Sequence, residues 1–167
     1  MRMPVLLALT LCGVSWAGTE PPPPADPFEQ IKSLAGEWHA DLPGYGQILD
    51  SIRLVSKGTA VEETLGTPDD NEVSLYTRDG TRLLLTHFCA LTPDGHVARL
   101  ETDALHGTPA RLDFILAGVS NLHGKAGPHM RRVLITLIDR DHFNEKWTKT
   151  EKGVETVFDL SFSRRGP

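Results

Sequence analysis

Cysteine is nearly absent. The 167 residues contain two, Cys12 and Cys89. Cys12 falls in a stretch that reads as a removable leader, so the expected mature chain keeps one thiol and no intramolecular disulfide framework is available to it. Long apolar runs are missing too: no segment approaches the roughly 18 residues of a membrane-spanning helix. Positive charge is not in excess, with 17 Lys and Arg against 22 Asp and Glu and a net charge of −5. That balance, with no basic run beyond pairs such as Arg131-Arg132, argues against nucleic acid and anionic membrane as partners. No G-x-S-x-G, no H-E-x-x-H and no glycine-rich phosphate loop occurs, so no catalytic constellation is predicted.

What is present begins with an export signal. Arg2 precedes the short apolar run "PVLLALTLCGVSW", and Ser15-Trp16-Ala17 fits a small-x-small cleavage pattern. Residues 1–17 are expected to be a signal peptide cleaved after Ala17, giving a secreted or periplasmic protein. A competing lipoprotein cleavage at Cys12 would want a small residue where Leu11 stands. Residues 18–25 form a Pro-rich leader, with Pro21 to Pro24 favouring an extended spacer. The remaining 26–167 is of single-domain length and large enough to bury a core without disulfides.

That domain has one helix signal. Asp26-Pro27-Phe28-Glu29 combines an N-cap acid, proline at the first helical position and a glutamate at the third. Phe28, Ile31 and Leu34 follow at helical spacing, and Gly36 ends the run. From Gly36 onward the chain reads as about ten short β-runs separated by turn residues: 36–42, 46–56, 59–65, 71–77, 81–91, 96–105, 110–118, 130–138, 142–150 and 154–165. Asp79-Gly80 is the strongest hairpin signal. Tight turns force antiparallel neighbours, and closing such a meander removes its two edges. The predicted fold is all-β, a single up-and-down antiparallel barrel of about ten strands with one short N-terminal capping helix and room inside for one small ligand.

The short helix, Gly36-x-Trp38 in the first strand and the antiparallel meander ending in arginine resemble the calycin group of lipocalins, fatty-acid-binding proteins and nitrobindin-like barrels. The chain is also similar to small exported bacterial proteins that carry an L-T-H-Y-C strand after a D-G turn, here Leu85-Thr86-His87-Phe88-Cys89. The resemblance implies that Gly36 and Trp38 sit at the closed barrel end with Arg164 (or Arg165) packed over the indole. It implies binding of a small apolar or amphipathic molecule. The nitrobindin-like branch implies haem or another tetrapyrrole as an alternative ligand, with His129 or His87 as axial donor. The first strand lacks the two later glycines of that branch's G-x-W-x-G-x-G pattern, so no cofactor is the first expectation.

Candidate ligand contacts follow from the strands. His87 and Cys89 share one strand face with Leu83 and Leu85, while Leu84, Thr86 and Phe88 share the other. Both faces are apolar, so parity leaves open whether the pair lines a cavity or packs. Side chains two apart on a strand run parallel about 6–7 Å apart, which disfavours a Cys–His dyad. No metal is predicted, because further ligands would have to come from His129 or His142 without a spacing signature. Glu62 and Glu63 are adjacent, so one of them faces inward and wants a cation such as Arg53 or Arg132. Tyr76 and Trp147 are candidate aromatic walls. The loop 119–129 is the longest connection and places His129 at a barrel mouth. A barrel enzyme using a buried glutamate with His87 as an acid–base pair is a further alternative. An interaction module with a filled interior is another, and the oligomeric state is left open.

Overall fold

Asp26 caps the first helix: its Oδ1 accepts from the Phe28 amide at 2.8 Å and the Glu29 amide at 3.2 Å. Pro27 occupies the first helical turn, where its missing N–H costs nothing. The computed structural model describes residues 26–67, 69–103, 110–122, 124 and 126–166. The expected signal peptide and Pro-rich leader lie outside the described residues.

Helix α1 (Pro27–Ser33) precedes ten strands: β1 (Gly36–Leu42), β2 (Gly46–Val55), β3 (Ala60–Gly66), β4 (Asn71–Asp79), β5 (Arg82–Cys89), β6 (His96–Asp103), β7 (Arg111–Ser120), β8 (His129–Asp139), β9 (His142–Glu151) and β10 (Val154–Arg164). Each strand pairs antiparallel with its sequence neighbours, and β1 pairs with β10 to close the barrel. The predicted all-β meander is therefore the observed fold, with strand boundaries within a few residues of those read from the turn signals.

The seam is short. Its register runs through Trp38↔Arg164 and His39↔Ser163, whereas β1 pairs along its whole length with β2. Beyond His39 the two seam strands have no further paired residues.

Alternation along the strands fills the interior. On β3, Val61, Glu63 and Leu65 are buried. On β5, Leu83, Leu85, His87 and Cys89 are buried, while Phe88 is exposed. The question the β5 sequence leaves open is thereby decided: the His87 face points inward.

One end of the barrel is closed by α1. Phe28, Ile31 and Leu34 are buried in the same core as Trp38, Phe143 and Phe162. The Trp38 indole N–H donates to the Leu34 carbonyl at 2.8 Å, which ties the helix end to the first strand. Arg164 lies across the indole and donates to the Ala35 carbonyl at 3.0 Å. Gly36 is required here, because a Cβ on it would fall 2.3 Å from an Arg164 guanidinium nitrogen and its φ is +146°.

Candidate functional site

The end away from α1 is open. A recess of about 290 Å³ lies there, walled by Leu42, Ile48, Leu65, Leu91, Trp147 and Phe158, with Asp70, Glu72 and Lys149 as its charged members. Leu42 and Tyr45 flank it from the β1–β2 hairpin, and Phe158 and Leu160 from β10. Tyr45, 66% exposed, meets Phe158 edge-on at 6.0 Å beside it.

His87 stands behind Glu72 and Trp147, two of the lining residues. Its ring lies 4.5 Å from the Trp147 ring, and its Nδ1 is 3.1 Å from the Ser74 hydroxyl, with which it is directly paired in the β4–β5 register. Its Nε2 makes no hydrogen bond and lies 3.3 Å from a carboxylate oxygen of Glu72. Cys89 completes a group of three: one ligand-capable atom each from Glu72, His87 and Cys89 lie within 4.8 Å of one another. Burial, reinforced by the Glu72 charge, pushes the Cys89 thiol up to about 12, so the uncomplexed sulfur is a thiol and not a nucleophile. His96, opposite Cys89 in the register, is 1% exposed with both ring nitrogens lacking hydrogen bonds. Burial holds its pKa below the usual value, and the nearby His129 and His87 add to the effect. Its ring is 6.5 Å from that of His129.

Between this wall and the helix-capped end lies a layer of acids. Asp50, Glu63 and Glu145 are each at most 1% exposed. The Tyr76 hydroxyl donates to Glu63 and the Trp147 indole N–H to Glu145, both at 2.8 Å. No lysine or arginine is buried among the described residues. Desolvation therefore dominates, and it pushes Asp50 and Glu145 well above the usual carboxylate range, with the Glu63 carboxyl adding to both. Burial, with Glu63 next in effect, also raises the Tyr76 phenol.

The structure brings His87, Cys89, Tyr76 and Trp147 into one interior, with His129 half-buried at its open end. It separates two of the expected contacts from that interior. Glu62 is on the outer wall, 2.5 Å from the Arg53 guanidinium, because Val61, Glu63 and Leu65 hold the inward parity of β3. Arg132 is also outside, held by two hydrogen bonds to Asp113 at 2.7 and 2.5 Å. A bulge between Met130 and Arg132 shifts the β8 register, so Arg131 and Arg132 both face solvent while Met130 and Val133 face inward. Neither arginine weighed as an inward partner neutralises Glu63. His142 is exposed against Asp139 at 2.8 Å, away from the recess.

The carboxylate beside His87 is Glu72, which the sequence reading passed over. Its parity with Ser74 and Tyr76 on β4 was the available signal. Asp50 and Glu145 were legible in the same way, from Ile48 and Ile52 on β2 and from Phe143 and Trp147 on β9. The alternative haem ligand does not fit around His87: its Nε2 faces a carboxylate instead of open space, and the recess is at the lower limit of the roughly 300–1,000 Å³ usual for ligand pockets.

No family model matches the sequence, and no curated protein matches it either. Among solved structures, the chain is similar to a protein of unknown function of the DUF3598 family from Nostoc punctiforme, with a TM-score of 0.52 at 17% identity. The likeness covers 90% of this chain and 53% of that one, so this chain spans about half the length of its neighbour. The likeness is one of fold, an antiparallel β-barrel.

Proposed function

We propose that this chain is an exported binding protein that holds one small apolar or amphipathic molecule in the recess opposite α1. The observation that carries this reading is the recess itself: an apolar-walled hollow of about 290 Å³ at the end of the barrel that the helix leaves open. Its walls are aliphatic and aromatic, which favours an apolar body. Glu72 and Lys149 stand among them and offer a polar head group one acceptor and one donor. Tyr45 and Phe158, in edge-on contact at 6.0 Å, stand at the rim of the recess. The leader "PVLLALTLCGVSW" followed by Ser15-Trp16-Ala17 supports export, with Gly18 as the new N-terminus.

The test uses the full chain expressed in a bacterial host and recovered from the extracytoplasmic fraction. Native mass spectrometry is expected to find an N-terminus at Gly18 and a one-to-one adduct of lipid-like mass. After delipidation, anilinonaphthalene sulfonate is expected to bind one-to-one and to quench Trp147. Absence of any adduct together with absence of dye binding overturns the reading.

A further inference from the structure

We propose that Glu72, His87 and Cys89 form a mononuclear site for a divalent transition-metal ion of the zinc class, with the fourth coordination position turned toward the recess. Three features of the geometry carry this. The donor set, one carboxylate, one imidazole and one thiol, is that of zinc and its borderline-soft neighbours. The spacing suits it: bonds of about 2.1 Å in a tetrahedron place two ligand atoms about 3.4 Å apart, and Glu72 and His87 approach to 3.3 Å. The sulfur lies within 4.8 Å of both other donors.

The independent observation is the state of His87. It is fully buried, yet its Nε2 makes no hydrogen bond. The Glu72 carboxylate 3.3 Å away faces Nε2 without hydrogen-bond geometry, the relation of two donors set around one ion. The rest of the ring is arranged as a metal-binding imidazole is. Nδ1 meets the Ser74 hydroxyl at 3.1 Å, which fixes the ring and turns Nε2 toward Glu72. Trp147 covers one face at 4.5 Å. Glu72 lines the recess, so a fourth position on its side is reachable by water or by a ligand head group. On binding, the Cys89 thiol gives up its proton to solvent and the sulfur lone pair bonds the ion, with no change of oxidation state.

This site does not depend on an organic ligand in the recess; dye binding by the metal-free protein leaves the two readings separable. The experiment titrates the metal-stripped full chain with Co²⁺ alone and then Zn²⁺ alone. One Co²⁺ per chain is expected, with a thiolate-to-cobalt charge-transfer band in the near ultraviolet and the intense visible bands of a tetrahedral site, all displaced by Zn²⁺. Cys89→Ser is expected to abolish the charge-transfer band. Glu72→Gln, at a partly exposed position where the fold has little at stake, is expected to lose binding with an unchanged circular dichroism spectrum. Ser74→Ala is expected to weaken Zn²⁺ roughly 10–100-fold by freeing the imidazole. No Co²⁺ binding, or binding without the thiolate band, or full affinity in a folded Glu72→Gln variant, overturns the proposal.

Discussion

The guanidinium carbon of Arg164 lies 3.9 Å from the centre of the Trp38 ring. The two residues are also paired directly in the β1–β10 register, so the contact that covers the closed end of the barrel is the same one that closes its wall. Gly36 is what admits it, since no side chain fits between Gly36 and the guanidinium.

Gly36→Ala is therefore expected to destabilise the fold by about 1–3 kcal/mol, through the positive φ and the collision with Arg164. Arg164→Ala alone is expected to cost about 1–2 kcal/mol from the lost cation–π contact and the bond to the Ala35 carbonyl. Combined, the two should cost less than their sum, because the collision is gone. Urea midpoints of the four proteins form the cycle; strict additivity would show that the glycine answers to the backbone alone.

The buried acids predict a pH dependence. Asp50 and Glu145 have folded-state pKa values raised well above their ordinary 3.8 and 4.5. The folded chain thus binds more protons than the unfolded one above about pH 4, and stability falls as pH rises through that window. His96 acts in the opposite sense: burial lowers its pKa, so the unfolded chain takes up the proton first and stability falls as pH drops below 6.5. Asp50→Asn mimics the protonated acid and leaves His96 untouched. It is expected to be more stable than the parent, by a margin that widens by up to about 1.4 kcal/mol per pH unit above about pH 4. Urea melts at a series of pH values measure the margin, and a margin constant with pH would mean that Asp50 is ionised in the fold.

Filling the recess should separate binding from folding. Leu91 is half-buried at its wall, where a larger side chain has space to occupy. Leu91→Trp is expected to remove anilinonaphthalene sulfonate binding while changing stability by no more than about 1 kcal/mol. Undiminished dye affinity in the folded variant would locate the dye outside the recess.

Most of the fold was determined by the sequence alone, because its signals are local. The Asp26 cap, the turn dipeptides and the period-2 runs each act within a few residues, and together they set one helix, ten strands and their antiparallel order. Gly36-x-Trp38 was legible through a resemblance and not through such local signals. Parity also carried Tyr76 and Trp147 inward, and it held the information for Glu72, four residues from Tyr76, and for Asp50 and Glu145, each two residues from apolar partners on its strand. What only the tertiary structure decided are the matters that depend on neighbouring strands. Strand β5 is apolar on both faces, so its own alternation does not say which face the barrel encloses; pairing of His87 with Ser74 and Ala98 does. The β8 bulge that turns Arg132 to solvent arises from its register with β9 and has no mark in the local pattern. Glu72 and Cys89 meet at His87, and Asp50, Glu63 and Glu145 meet in the interior, because closing the barrel brings separate strands around one axis. Alternation fixes which residues share a face of their own strand; the register between strands fixes which side chains from different strands meet.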